Sequence, residues 1–389
     1  MLTRNTKLVT RNKLLRLATI EGDLVENMYQ KYAKLLIHYS LGLKKGDKLL
    51  INSTYLAEPL IKEVFREALT AGAHPEIQIA INELTRVFYD HASVAQLRYV
   101  SPMYLHAVKS YDAFLTIRAP FNLKELQSID PEKKKKAAVA QTRVKKLFMK
   151  RASTGALKWT LCEFPTDSQA QECSLSRSEY EDLVFSACFL YSENPQGEWQ
   201  KMRASQQHIV DFLSARRHVR IVGRGTDLSF FTRGRKWINS DGRHNMPSGE
   251  VFTSPEEESA QGRVTFSFPG IYMGQEIEEI VLHVERGEVK KWAAKKGERL
   301  LAKILEIPGA KRFGEAAIGT NTGIRRFTKN MLFDEKMGGT IHFALGASYP
   351  ETGGKNESPI HWDLLADMKK DGQIFADGEL IYKNGTFLI

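Results

Sequence analysis

Apolar residues recur at helical spacing over residues 23–41, where Leu24, Met28, Tyr32, Leu35 and Leu36 share one face. Gly42–Gly46 breaks that helix, and Lys48–Ile51 then reads as a short buried strand. Glu58–Leu69 is a second helix, closed by the turn residues Ala71–Pro75, and Glu76–Ile81 is the next strand. Strand, helix and strand at this spacing predict a parallel βαβ unit. Tyr111–Arg118 adds another buried strand, and helical patterning continues through Glu179–Ser192. The breaker at Asn194–Glu198 predicts a domain boundary, followed by a bridging helix over Trp199–Ala215.

Beyond that helix the texture changes to strands and turns. Ile280–Glu285 and Val289–Trp292 flank an Arg-Gly-Glu turn and read as a hairpin. Gly297–Ile307 is a helix stopped by Pro308-Gly309. Asp371-Gly372, Asp377-Gly378 and Asn384-Gly385 punctuate short apolar runs, which predicts a terminal antiparallel meander. The expected fold is therefore an α/β N-terminal domain with parallel βαβ units, plus an α+β C-terminal domain. The expected partition is a basic extension over 1–22, the α/β domain over 23–198 and the α+β domain over 199–389.

A chain of 389 residues exceeds one ordinary domain, which agrees with that partition. The formal charge of +10 is local. Residues 1–20 and 133–151 together hold fourteen basic residues and no acid, so the remainder is near −4. Lys133–Lys136 reads as a solvated loop or helix face; no aromatic residue interleaves with it as a nucleic-acid stacking platform requires. No nucleic-acid or membrane partner is expected. No stretch approaches the roughly 18 apolar residues of a membrane span. Cys162, Cys173 and Cys188 match neither a disulfide framework nor a Cys-x-x-Cys metal knuckle, so a reducing, cytoplasmic setting is expected. A Gly-x-Gly-x-x-Gly fingerprint is absent, and no dinucleotide is implied. Met1–Ile20 lacks the apolar core of a secretory signal and reads as an extension.

The candidate chemistry lies in the last third. Glu250, Glu315, Glu335 and Asp363 supply carboxylates, and His342 and His361 supply imidazoles. Hard divalent cations prefer oxygen ligands, and imidazole draws preference toward zinc, cobalt or iron. Two adjacent cations need several carboxylates, and the set therefore suggests metal-assisted hydrolysis. In Thr-Ile-His-Phe-Ala-Leu-Gly, His342 shares a strand face with Ala344 and Gly346, which leaves room beside it. His361 and Asp363 point the same way in an extended segment. Glu250 begins a strand after the turn Pro247-Ser248-Gly249, and Glu315 sits in a glycine-bearing loop. Each residue alone also has a plain structural reading: a core histidine, an Asp–His hydrogen bond, a turn carboxylate, or an exposed salt-bridged loop around Asp334-Glu335-Lys336.

The joint pattern is more specific. Gly249–Thr253, Gly314-Glu315 with Ile318–Asn321, Asp334-Glu335 before His342, Leu345–Pro350 and His361-Trp362-Asp363 occur in order. So do Tyr32–Leu36, Lys45–Asp47, Ala71–Pro75 and Trp159–Leu161. Together they closely resemble the thermophilic aminopeptidase family (aminopeptidases T and S, and PepS) over nearly the whole chain from about Glu26. The resemblance implies a cytoplasmic exopeptidase with two divalent metal ions per chain: zinc, cobalt, manganese or magnesium. Its ligands map onto Glu250, Glu315, Glu335, His342, His361 and Asp363, and its active-site tyrosine onto Tyr349. It further implies short peptide substrates with a free N-terminus and a homodimer whose sites face an enclosed cavity. Glu315 is the candidate bridging carboxylate, and Tyr349 the candidate hydrogen-bond donor to the tetrahedral oxyanion. One departure is visible: some members keep Glu and His five apart, whereas Glu335 and His342 are seven apart, which Gly338-Gly339 can absorb as a bulge. Two other readings use the same residues. A mononuclear iron ring-cleaving dioxygenase would take His342, His361 and Asp363, leaving Glu250 and Glu315 idle. A non-catalytic metal-binding module would keep the fold without turnover.

Overall fold

The computed structural model describes residues 27–389. The extension expected over 1–22, and Leu24 of the first helical face, lie outside them. Asn27 and Gln30 form a capping box for the helix Met28–Lys34, which widens into a π turn over Leu35–Ser40. Tyr32, Leu35 and Leu36 are buried on its inner side. Lys48–Thr54 then pairs in parallel with His74–Ala80 on one edge and with Ala113–Arg118 on the other. Lys158–Glu163 extends the sheet, again in parallel. Helix Glu58–Thr70 makes the first crossover and buries Leu60, Ile61, Val64 and Ala68. Its i, i+4 and i, i+8 spacing matches one helical face.

The Asn-Pro-Gln-Gly stretch starts the bridging helix, which begins at Pro195 rather than at Trp199. Asn194 Oδ1 accepts from the Gly197 amide, and Pro195 occupies the first turn of Pro195–Ser214. Asparagine and proline suit that position because an N-cap supplies an acceptor and the first turn needs no amide donor. The helix serves two cores. Trp199 packs with the buried residues around the parallel sheet, whereas Ile209, Val210 and Leu213 pack in the second core.

The second core lies between two antiparallel sheets. One has eight strands and runs from Glu288–Ala293 through Thr226–Phe231 to the terminal strands Gln373–Ala376, Glu379–Lys383 and Thr386–Phe387. It includes both the predicted hairpin, Val281–Glu285 with Glu288–Ala293, and the predicted terminal meander. The other has five strands, in the spatial order His361–Asp367, Thr340–Gly346, Phe313–Gly319, Glu250–Thr253 and Ile238–Ser240. Side chains alternate across a strand, so one face of this sheet feeds the core. Val251, Ile318, Ile341, Phe343, Leu345 and Leu364 are on it. Phe343 meets Phe230 of the eight-stranded sheet edge-on, with ring centroids 5.8 Å apart.

The chain also returns to the first core from late in the sequence. Asn245–Met246 adds a fifth parallel strand beside Lys158–Glu163, and Ile324, Leu332, Phe333 and Met337 pack among the same buried residues. Lys133–Lys136 lie on the helix Pro131–Ala140, where Lys133 Nζ donates to the Tyr89 carbonyl and Lys135 pairs with Glu132. Among the described residues no helix is long and apolar enough to cross a membrane.

Candidate metal centre

The face of the five-stranded sheet that turns away from the second core carries the candidate ligands. Its register sets them side by side. Glu315 lies opposite Ala344, which lies opposite Asp363. One row along, Ala317 faces His342; at the strand ends Gly319 faces Glu250 and Gly346 faces His361. Each long polar side chain therefore has a small neighbour across the ladder, which leaves room for the functional groups to converge. Glu315 is not in a loop as its glycine neighbour suggested. It sits in the strand Phe313–Gly319, every residue of which is buried. Gly314 is needed there because a Cβ would come within 2.2 Å of the Ala347 carbonyl oxygen.

Glu250 begins the strand Glu250–Thr253, as expected from the preceding turn. Gly249 makes that start with φ +117°, a conformation that disfavours any side chain. Gln206 Nε2 donates to the Glu250 carbonyl at 2.6 Å, and Asn321 Nδ2 donates to the Ser248 carbonyl at 2.7 Å. The side chains then meet. His342 Nε2 is 3.5 Å from Glu250 Oε2 and 3.6 Å from Glu315 Oε1. His361 Nε2 is 3.0 Å from Glu315 Oε2 and 3.5 Å from Asp363 Oδ1. Two ligand triads result, Glu250–Glu315–His342 and Glu315–His361–Asp363, with the donor atoms of each within 4.8 Å of one another. Glu315 belongs to both. His361 Nδ1 faces the Ala347 carbonyl at 2.7 Å, which leaves Nε2 for the carboxylates.

The electrostatics follow from crowding acids in a dry place. Burial pushes the Glu250 carboxyl up, partly offset by Lys336 and His342. For Glu315 and Asp363 burial acts the same way, but the adjacent histidines win and hold both carboxyls down. The histidines move the other way. Burial would lower them, yet the carboxylates push His342 up to about 9 and His361 up to about 11. The pocket therefore seeks positive charge, and without a metal it holds protons.

Glu335 stands apart from the two triads. It closes the short turn Met331–Asp334, and its carboxyl, pushed up to about 8 mainly by burial, is hydrogen-bonded by the neighbouring Lys336. The exposed salt-bridged loop expected from Asp334-Glu335-Lys336 is not found, because Asp334 and Lys336 are both fully buried. Lys336 Nζ also lies 3.5 Å from Glu250 Oε1. Sequence reasoning missed Lys336; a lysine directly after two acids reads as a solvated pair, and only the fold shows it enclosed. Gly338-Gly339 lead from that turn into the strand Thr340–Gly346, with Gly339 at φ +85°. Tyr349 stands at the open side of the cluster, 42% exposed. Its ring packs on His361 at 4.7 Å and on Phe252 at 5.7 Å between centroids. Partial burial and then the nearby Glu315 and Asp363 push its phenol up, so it keeps its proton at neutral pH.

The donor set suits divalent metal ions: oxygen-rich, with one imidazole per triad. Glu250 Oε2 and Asp363 Oδ1 are buried without a hydrogen-bond partner, which is costly unless another partner arrives. The model of the family described as "Thermophilic metalloprotease (M29)" matches residues 25–387. The chain belongs to this family. Curated relatives of similar length include Aminopeptidase 2 of Geobacillus stearothermophilus, 27% identical, with 93% of this chain and 98% of the relative covered. Aminopeptidase T of Thermus thermophilus is also 27% identical, with 94% and 97% covered. Aminopeptidase PepS of Streptococcus thermophilus is 26% identical, with 94% and 98% covered. Among solved structures, wild-type AmpT from Thermus thermophilus superposes with a TM-score of 0.80 at 25% identity, covering 93% of this chain and 99% of that one. The M29 membership makes the chain a metalloprotease, and a divalent metal its cofactor. The parallel sheet, the antiparallel sheets and the superposition on AmpT bear out the fold class expected from the hydrophobic pattern.

Proposed function

We propose that this chain is a two-metal aminopeptidase that removes the first residue from short peptides with a free N-terminus. The aminopeptidase activity rests on family membership and on relatives that match end to end. The two-metal centre rests on one observation, the sharing of Glu315 by two complete ligand triads. Glu250 and His342 would hold one ion, His361 and Asp363 would hold the other, and Glu315, common to both triads, would serve both. Glu335 is a further carboxylate of the centre. When bound, the metals supply Lewis-acid polarisation and a water acidic enough to ionise near neutral pH.

The chain's own groups do the rest. The Glu315 strand fixes the distance between the triads, and the Ala347 carbonyl fixes the tautomer of His361. The protonated phenol of Tyr349, against the His361 ring, donates to the oxyanion that develops on the scissile carbonyl. The carboxylate-rich pocket attracts the substrate's α-ammonium, which an N-acetylated peptide lacks. A homodimer with enclosed sites would admit short peptides and exclude folded proteins. Three buried free thiols fit a reducing cytoplasm.

The iron dioxygenase reading leaves Glu250 and Glu315 without work, although both touch His342. The test uses metal-stripped protein with Zn²⁺, Co²⁺, Mn²⁺ or Mg²⁺ restored, on matched free and N-acetylated peptides. Metal-dependent loss of one residue from free peptides alone is expected. Internal cleavage, or equal cleavage of acetylated peptides, would overturn the exopeptidase assignment.

A further inference from the structure

We infer that Lys336 is a resident counter-cation of the metal centre: it positions Glu250 and Glu335 before metal arrives and lowers the affinity with which metal is held. This rests on the metal-centre reading above but concerns a residue that reading does not use. Lysine is almost never fully buried unless paired. Lys336 is fully buried, and among the described residues its ammonium meets the acid cluster, hydrogen-bonded to Glu335 and 3.5 Å from Glu250 Oε1.

The placement is built into the backbone. The Asn321 amide donates to the Lys336 carbonyl at 2.9 Å, and the Gly338 amide donates to the Asn321 carbonyl at 2.8 Å. Asn321 is itself tied to the Ser248 carbonyl, just before Glu250. Gly319 permits this close approach, because a Cβ there would come within 2.1 Å of the Met337 carbonyl oxygen. The segment that carries Lys336 is therefore locked to the strand start that carries Glu250.

Charge then decides the sign of the effect. Two divalent cations would match the four carboxylates Glu250, Glu315, Glu335 and Asp363. The ammonium is the extra positive charge, close enough to repel an incoming ion through a low-dielectric interior. Without metal, the same ammonium offsets carboxylate repulsion and keeps Glu250 and Glu335 in place. Lys336 thus trades metal affinity for an assembled metal-free site.

The test measures metal affinity of the stripped full chain for Zn²⁺ and Mn²⁺ by calorimetry and chelator competition. Lys336→Met should bind metal about tenfold tighter or more. Its metal-free form should melt lower than the wild-type metal-free form, with the gap closing on metal addition. Lys336→Arg, which keeps the charge, should stay near wild type. A merely structural lysine would give the opposite sign, a looser site with weaker binding. Folded Lys336→Met that binds metal no tighter than wild type overturns the inference. Should Lys336→Met not fold without metal, Lys336→Gln keeps a polar group within reach of Glu250 and Glu335 while removing the charge. It should also bind metal about tenfold tighter than wild type, with a lower melting temperature in the metal-free form. Folded Lys336→Gln that binds metal no tighter than wild type overturns the inference. Wild-type protein that binds no divalent metal is a separate result, against the centre itself.

Discussion

At the scale of single residues, Glu315 carries the most. Among the described residues it is the side chain that the two triads share. Glu315→Gln keeps the shape and removes the charge, so it should abolish turnover and metal binding while the circular dichroism spectrum persists. A folded variant with full activity would remove Glu315 from the site. Tyr349→Phe tests a different role. With the phenol proton gone, kcat should fall by about ten-fold or more, on the scale of losing an oxyanion donor, while metal analysis still finds both ions. Unchanged kinetics would make Tyr349 a packing partner of His361 and Phe252 only. The histidines give a pH signature in metal-free protein. Their folded values of about 9 and about 11 exceed the ordinary 6.5, because the carboxylates outweigh burial. Their stabilisation is complete below pH 6.5 and is lost as pH rises through about 9 and then about 11. Metal-free protein should therefore melt at lower temperature at pH 9.5 than at pH 6.5, and zinc uptake at pH 7 should release protons into a weakly buffered solution. Zinc uptake without proton release would show the imidazoles to be neutral already.

At the scale of elements, the five-stranded sheet works as a two-sided plate. One face is anchored by Ile341, Phe343 and Leu345 in the second core, and the other presents His342 between them in sequence. A loss of anchoring should therefore reach the site. Phe343→Ala deletes a fully buried ring that touches Phe230 and Phe313, and should cost about 3–5 kcal/mol. Denaturant unfolding should show that loss, with weaker metal binding as the strand loosens; a loss under about 1 kcal/mol would mean the cavity collapses. The alternation Ile-His-Phe-Ala-Leu made this face legible from sequence, because period 2 separates the two sides of a strand whatever its partners. Glu315 was not legible in the same way. Its strand, Phe-Gly-Glu-Ala-Ala-Ile-Gly, is buried on both faces and shows no alternation, so its glycines read as a loop. The bridging helix was legible, but its start at Pro195 was placed at Trp199, since the residues that end one element also begin the next.

At the scale of the whole molecule, the expected metal content is two ions per chain, measured by elemental analysis after reconstitution. One ion would argue against Glu315 as a bridge. Removing the metal should lower the melting temperature, since ligand that binds only the folded state stabilises it by mass action. Late segments around Met246 and Phe333 pack into the first core while the Pro195–Ser214 helix enters both cores, so the two halves are tied by more than a linker. What the sequence determined by itself is what depends on near neighbours along the chain: the βαβ start, the hairpin, the meander, and the residue types that suit divalent metals. Their order along the chain, set beside a known family's, supplied the chemistry. What only the tertiary structure decided is which of those residues meet. Cross-strand register puts Glu315 between both histidines, and enclosure turns Lys336 from an ordinary surface charge into part of the site. Both depend on contacts between segments distant in sequence, and burial of a charge is a property of everything packed around it.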